Sequence, residues 1–90
     1  MSNADDEVTR FRERITELDR LILDAVNRRL ELVAELKRYK DANGIAFVDA
    51  DRERTMIDAR AAENDGPLSD DGLRAFYLEL LALTKRELDN

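Results

Sequence analysis

The chain has 90 residues, which predicts a single domain, since domains usually contain roughly 100 to 200 residues. It contains no cysteine and no histidine, and this excludes disulfides, thiolate nucleophiles, zinc fingers and imidazole acid/base catalysis. With 21 acidic and 15 basic residues the net charge is -6, which disfavours nucleic acid and anionic membranes as partners. No stretch has the apolar length of a secretory signal or a membrane span, so we expect a soluble, cytoplasmic protein.

The first predicted helix covers about residues 5–42 and ends where Gly44 can adopt a left-handed conformation. Ten of its positions are spaced alternately by three and four residues, and nine of the ten are apolar. This spacing is typical of a long helix that packs against other helices along its whole length. The ten positions, called the long stripe below, are Val8, Phe11, Ile15, Leu18, Ile22, Ala25, Arg29, Leu32, Leu36 and Tyr39.

Two shorter helices follow, separated by turns that contain glycine and proline. Asp49 can cap the second helix and Ser69 the third, because their side-chain oxygens can accept hydrogen bonds from free backbone N–H groups. The apolar stripe of the third helix contains one polar residue, Thr84. The predicted fold is therefore all-α, in a single domain over residues 1–90. The predicted helix bounds are about 5–42, 49–64 and 69–88.

The helix lengths favour a dimer over a monomer. At 1.5 Å per residue the first helix spans about 55 Å, and the other two span about 24 Å and 30 Å. Folded back in one chain, the short helices would cover about half of the long stripe and leave about five large side chains exposed, each worth roughly 1.5 to 3 kcal/mol. We therefore expect an intertwined two-fold dimer in which each long helix spans two bundles.

Arg29 is the one charged residue on the long stripe. Because a buried guanidinium is costly without a negative partner, Arg29 is expected to meet an anionic ligand, an internal carboxylate or a register-setting contact. Lys40 lies eleven residues later and points within about 20° of the Arg29 direction, so both could reach one ligand, although a solvated lysine is the simpler interpretation. Arg12 lies about 25 Å away along the helix, so it is a surface residue or enters the site of a second chain.

A charged cluster begins the second helix. Asp49, Arg52 and Glu53 share one side through their spacings of three and four residues, although capping and surface ion pairs would explain them without a ligand. Thr84 can bond back to the carbonyl four residues earlier. Together with the basic residues of the first helix, these side chains outline a pocket in a helical bundle. Its cations could face an anionic ligand while its carboxylates accept hydrogen bonds from hydroxyl groups.

Two motifs relate the chain to a known family. The long helix carries Arg12-Glu13-Arg14-Ile15, Leu18-Asp19, Arg28-Arg29, Glu31-Leu32 and the basic segment 37–40. The second helix begins Asp49-Ala50-Asp51-Arg52-Glu53-Arg54, which is similar to a D-x-x-R-E-R stretch. With these motifs, residues 8–88 resemble the all-helical class of chorismate mutases. The segment Glu63-Asn64-Asp65-Gly66-Pro67 is also similar to the helix junction of mutase domains fused to DAHP synthases.

The resemblance implies an isomerase that converts chorismate to prephenate in phenylalanine and tyrosine biosynthesis. It also implies a domain-swapped homodimer with two sites, and neither a cofactor nor a metal. The family's reaction is a concerted pericyclic shift that needs no acid, base or nucleophile, which suits a chain without histidine or cysteine. Such a site acts through shape and electrostatics.

The resemblance assigns roles to the basic residues. Arg29 and Arg12 of the partner subunit would bind the two substrate carboxylates, and Arg52 would support the carboxylate side. Lys40 would hydrogen-bond the ether oxygen and a carboxylate.

The acidic residues and the third helix complete the implied site. Asp49 and Glu53 would hold the ring hydroxyl region, and Thr84 would lie near a carboxylate. The implied catalytic residues are thus Lys40, Arg29 and Glu53. Leu88 stands where the family usually places a glutamine or glutamate that donates to the ether oxygen, and a missing donor is worth about a few kcal/mol. Either the alignment shifts by one residue here, to the adjacent Glu87, which is rotated by about 100°, or the site lacks this donor. An absent donor implies modest intrinsic activity and leaves room for activation by a partner that reshapes the C-terminus.

Three alternatives remain open at the level of sequence. An isochorismate pyruvate-lyase resembles the same fold and shares its cationic positions. A noncatalytic module that senses chorismate or prephenate, for example beside a DAHP synthase, would tolerate Leu88. A coiled-coil dimer would use Arg29 only to set its register.

Overall fold

A computed structural model describes residues 3–89, and over these residues the chain is all-α. The helices are α1 (Asn3–Ala42), α2 (Ala50–Glu63) and α3 (Asp70–Leu88). The predicted all-α class, with three helices of which the first is very long, is confirmed. The observed bounds differ from the predicted ones by at most two residues, which is the usual uncertainty at helix ends. No helix in the described part of the chain is long and apolar enough to cross a membrane.

Contacts divide the chain into two units, Met1–Val33 and Ala34–Asn90, and α1 contributes to both. Within the first unit the apolar side chains of the long stripe are exposed in the single chain: Leu18 at 60%, Ile22 at 57% and Leu32 at 66%. Short contacts along the helix hold this segment, such as the Arg28 Nε to Asp24 Oδ2 ion pair at 2.9 Å. An exposed apolar stripe of this extent is typical of an interaction surface.

The second unit has a small core between α2 and α3. Ile57 of α2 is 6% exposed and Leu73 of α3 is 4% exposed. Three other apolar residues of α2, Met56, Ala59 and Ala61, are half-buried. A core this small leaves the packing between these two helices to a few side chains.

Both short helices begin at the predicted caps. The Asp49 carboxylate accepts a hydrogen bond from the Arg52 backbone N–H at 3.0 Å, and the Ser69 hydroxyl oxygen accepts one from the Gly72 N–H at 3.0 Å. Each cap satisfies a backbone donor that the first turn of a helix leaves without an intrahelical partner. The sequence prediction of both caps is confirmed.

The end of α1 is closed by a left-handed glycine, as predicted. Gly44 has a φ of 67°, and the Ile45 N–H donates to the Lys40 carbonyl at 2.8 Å, which is the long hydrogen bond of a Schellman motif. This closure fixes the direction in which the chain leaves α1. It therefore also fixes the loop that leads to Asp49.

We expect Gly44→Ala to lower the free energy of unfolding by about 1 to 2 kcal/mol, because a Cβ at this φ strains the backbone even where space is open. The matched control is Gly66→Ala: Gly66 lacks a positive φ, and the nearest atom to its added Cβ is Asn64 Oδ1 at 3.7 Å. Gly66→Ala should be neutral or slightly stabilising. Urea unfolding at one fixed protein concentration measures both, and equal losses would contradict the left-handed closure.

Candidate active site

The predicted site residues are distributed over both units. Within the first unit, Arg12 is exposed and lies with Thr9, Glu13 and Thr16 on one surface of α1. Arg29 is half-buried, whereas most of the long stripe around it is exposed. The proposed roles of these two arginines depend on a ligand or a second chain and stay predictions.

The α1–α2 loop receives two ammonium groups from the last turns of α1. Lys40 Nζ donates to the Phe47 carbonyl at 3.4 Å, and Lys37 Nζ lies 5.6 Å from the centre of the Phe47 ring. Lys40 is half-buried, so it is not the freely solvated lysine of the simpler interpretation. Its hydrogen bond is long for an N–H···O contact, and its other two protons can serve a ligand.

The C-terminal turn of α3 is attached to α1 by Lys37. The Lys37 ammonium donates to the Leu88 carbonyl at 3.0 Å. Leu88 is half-buried and, with Ala34, Asp41 and Glu87, contributes to the wall of an open cavity of about 290 Å³. The Leu88 side chain has no donor to offer a ligand, while its backbone oxygen serves as the anchor of the helix end.

The acidic residues at the start of α2 have distinct environments. Asp49 uses one carboxylate oxygen as the helix cap, while the Arg52 side chain beside it is exposed. Glu53 is the more enclosed of the two acids, with a side chain 26% exposed, and its Oε1 lies 2.7 Å from Lys85 Nζ on α3. This short, charge-assisted contact links α2 to α3 directly at a predicted site residue.

Thr84 is buried, with 4% of its surface exposed. Its hydroxyl donates to the Leu80 carbonyl at 2.8 Å, so the expected back-bond is present. The hydroxyl proton is therefore used within α3.

A second ion pair joins α2 and α3 away from the predicted site residues. Arg74 contacts Asp58 through Nη1 at 2.8 Å and Asp70 through Nε at 2.9 Å. Hydrogen bonds to Asp58 and then Asp70 raise the pKa of Arg74 above its ordinary value, so the guanidinium stays charged. Over residues 3–89, no group of three or more acidic residues is arranged to hold a metal ion.

Sequence reasoning missed three residues that contact the predicted site residues: Lys37, Phe47 and Lys85. Lys37 carried a weak signal, since it lies one turn before Lys40 on the same helix. Lys85 and Glu53 lie on different helices, so no local spacing could connect them. The site residues that the structure brings into contact with these three are Lys40, Leu88 and Glu53.

Comparison with known proteins identifies the family. Residues 11–87 match the family described as chorismate mutase type II. The chain therefore belongs to the chorismate mutase type II family, which confirms the predicted family. The matched range includes every predicted site residue except Leu88, which follows it directly.

Individual proteins are similar to the chain over different shares of their length. The T-protein of Enterobacter agglomerans is 37% identical over 57 residues, which are 63% of this chain and 15% of that protein. Chorismate mutase from Thermus thermophilus, in the structure called Form II, is 26% identical with a TM-score of 0.88, and the match covers 93% of this chain and 96% of that chain. Form I of the same enzyme is 28% identical with a TM-score of 0.84, covering 87% and 98%. The chain thus spans a small part of the curated relative and nearly all of the solved mutase.

We expect Lys37→Met to lower the free energy of unfolding by about 1.5 to 3 kcal/mol, because the Leu88 carbonyl loses a charged donor and Phe47 loses a cation over its ring. Amide hydrogen exchange in the last turn of α3 should accelerate in parallel.

The control for this prediction is Arg38→Met, since Arg38 is the exposed neighbour of Lys37 and lines the same cavity. It should change stability by less than about 0.5 kcal/mol. If exchange at the end of α3 is the same in both variants, Lys37 does not anchor this turn.

Proposed function

We propose that this chain converts chorismate to prephenate by a concerted rearrangement. The observation that carries the proposal is the family match over residues 11–87, which contains the cationic and acidic residues of the resemblance in their expected order. The solved Thermus thermophilus mutase supports it, because the likeness covers almost the entire length of both chains. The proposal places the reaction in phenylalanine and tyrosine biosynthesis, in the cytoplasm, where a chain without disulfides needs no oxidising compartment.

The proposed site binds the substrate as a dianion. Arg29 and Arg12 of the partner subunit hold the two carboxylates, and Arg52 supports the carboxylate side. A chain with a net charge of -6 repels a dianion at long range, so binding depends on these cations at close range. Holding both carboxylates fixes the flexible substrate in the compact form in which the new bond can close.

Lys40 supplies the electrostatic part of the proposed mechanism. Negative charge grows on the ether oxygen as its bond breaks, and a fixed ammonium stabilises that charge in the transition state more than in the ground state. The half-burial of Lys40 and its contact with the Phe47 carbonyl support this role, because they fix the ammonium before the substrate arrives. Asp49 and Glu53 accept hydrogen bonds from the ring hydroxyl region, and Thr84 lies near a carboxylate.

We propose further that two chains form an intertwined, domain-swapped homodimer in which residues 1–90 act as one catalytic domain. The exposed long stripe supports this, since burying side chains such as Phe11, Leu18 and Leu32 would contribute roughly 1.5 to 3 kcal/mol each. The dimer would also bring Arg12 to the site of the other chain.

Leu88 favours a second candidate function. It provides no donor for the ether oxygen, and its carbonyl is already engaged by Lys37. A module that senses chorismate or prephenate beside a DAHP synthase, or a mutase activated by such a partner, would need no donor here in the isolated chain.

Incubation with chorismate should yield prephenate. Arg29→Ala and Lys40→Ala should each reduce kcat/KM by about 10²- to 10³-fold, because each removes a charge that the transition state requires. Arg14→Ala changes an exposed arginine of the same helix and should leave the rate within about twofold. Helicity by circular dichroism is the folding control, and equal losses in all three variants would contradict the site.

The same assay separates the candidate functions. Release of pyruvate from isochorismate would identify a lyase, and binding of chorismate without turnover would identify a sensor. Turnover that appears only with a DAHP synthase would identify a partner-dependent mutase.

Light scattering at micromolar concentration should give the mass of a dimer. Mixing Arg12→Ala with Arg29→Ala should restore about one quarter of the wild-type rate, since half of randomly mixed dimers would carry one intact site of two. A monomer would contradict the dimer, and no recovery after verified subunit exchange would place Arg12 outside the partner's site.

A further inference from the structure

We propose that Lys85 is a positioning residue for Glu53, and that it acts on the reaction only through that carboxylate. The proposal rests on the proposed function, because Glu53 is the group that would accept the hydrogen bond of the substrate's ring hydroxyl. It adds a residue of α3 that neither the sequence motifs nor the family resemblance assigns to the site.

The contact between the two side chains is short and partly enclosed. Lys85 Nζ lies 2.7 Å from Glu53 Oε1, within the range of a charge-assisted hydrogen bond. The Lys85 side chain is 38% exposed and that of Glu53 is 26% exposed, so both ends are partly shielded from water. Shielding lowers the effective dielectric constant and makes the pair stronger than a fully solvated ion pair.

Glu53 needs such a partner to act on a hydroxyl group. A glutamate side chain has three rotatable bonds, and fixing it in one conformation costs conformational entropy. An ionised carboxylate offers about four acceptor positions on two oxygens, so an ion pair to Lys85 through Oε1 leaves Oε2 able to accept a hydrogen bond. Lys85 can therefore fix the position of the carboxylate without occupying the oxygen that would face the substrate.

The position of Lys85 on α3 is itself well fixed. It follows Thr84, which is 4% exposed and hydrogen-bonded to the Leu80 carbonyl. Leu88, one turn later, contributes only an apolar side chain. The ammonium of Lys85 thus reaches Glu53, in the first turn of α2, from a fixed position on α3.

The simpler interpretation is that Lys85 only ties α2 to α3. The chain provides a matched pair to separate the two interpretations, because Arg74 Nη1 and Asp58 Oδ1 join the same helices at 2.8 Å. That pair is more exposed, at 41% and 68%, and neither residue is among the proposed site residues. Loss of either ion pair would weaken the contact between α2 and α3, but only loss of Lys85 would release the Glu53 carboxylate from its position.

The experiment uses the full chain with two substrates, chorismate and its analogue that lacks the ring hydroxyl. Lys85→Met should lower kcat/KM for chorismate about tenfold and change kcat/KM for the analogue less than about twofold. The reason is that only chorismate has the hydroxyl that Glu53 would hydrogen-bond. Lys85→Arg should restore most of the chorismate rate, since it returns a cation within reach. Arg74→Met should leave the ratio of the kcat/KM values for chorismate and the analogue unchanged, whatever its effect on thermal stability.

A double-mutant cycle tests whether Lys85 acts through Glu53. In the Glu53→Ala background, Lys85→Met should lower the chorismate rate by less than about twofold further. A full tenfold loss in that background would mean that Lys85 acts on the substrate itself, and it would overturn the proposal. Lys85→Gln, which keeps a neutral donor, replaces Lys85→Met in the cycle if the methionine variant does not fold.

The remaining outcomes separate this proposal from the proposed function. Equal losses for chorismate and the analogue in Lys85→Met would make Lys85 structural and leave the mutase function standing. A wild-type chain that shows no turnover either alone or with a DAHP synthase would overturn the mutase function and the role of Lys85 together.

Discussion

The long stripe of α1 carries apolar side chains that a single chain leaves in contact with water. Phe11, Leu18 and Leu32 are all more than half exposed, while the buried side chains among the described residues belong to α2 and α3. An isolated helix gains most of its stability from packing an apolar face, so a helix of 40 residues requires a covering surface of comparable length. The proposed dimer follows from that requirement, and so does the proposal that Arg12 works in the site of a partner.

The polar side of the second unit is organised around the loop that leaves α1. Gly44 turns the chain, Phe47 receives contacts from Lys37 and Lys40, and Asp49 caps α2 directly afterwards. Each contact uses a group that the end of a helix or a turn would otherwise leave unsatisfied. A short loop thus fixes both the ammonium of Lys40 and the carboxylate of Asp49, two groups of the proposed site, before any ligand binds. Such fixed charges are what a reaction without acid, base or nucleophile can use.

Two ion pairs join α2 and α3 with similar geometry, and they differ in their exposure to solvent and in their proposed roles. Arg74 lies between two carboxylates on an exposed surface, where an ion pair contributes little to stability. Lys85 meets Glu53 in a more enclosed position, beside the buried Thr84. The N···O distances of the Arg74–Asp58 and Lys85–Glu53 pairs are nearly the same, at 2.8 Å and 2.7 Å. The pairs differ in solvent access and in the proposed role of the carboxylate, because only Glu53 is a proposed site residue.

The helices, their caps and the left-handed end of α1 could be predicted from the amino-acid sequence, because these features depend on residues within about four positions of one another. The family could be predicted as well, because the two motifs lie in helices whose spacing is fixed locally. The folded chain was needed to learn that Lys37 holds the Leu88 carbonyl, 51 positions away, and that Lys85 meets Glu53 from another helix. Contacts of this kind depend on how helices pack, and helical periodicity carries no information about which residues of separate helices will meet.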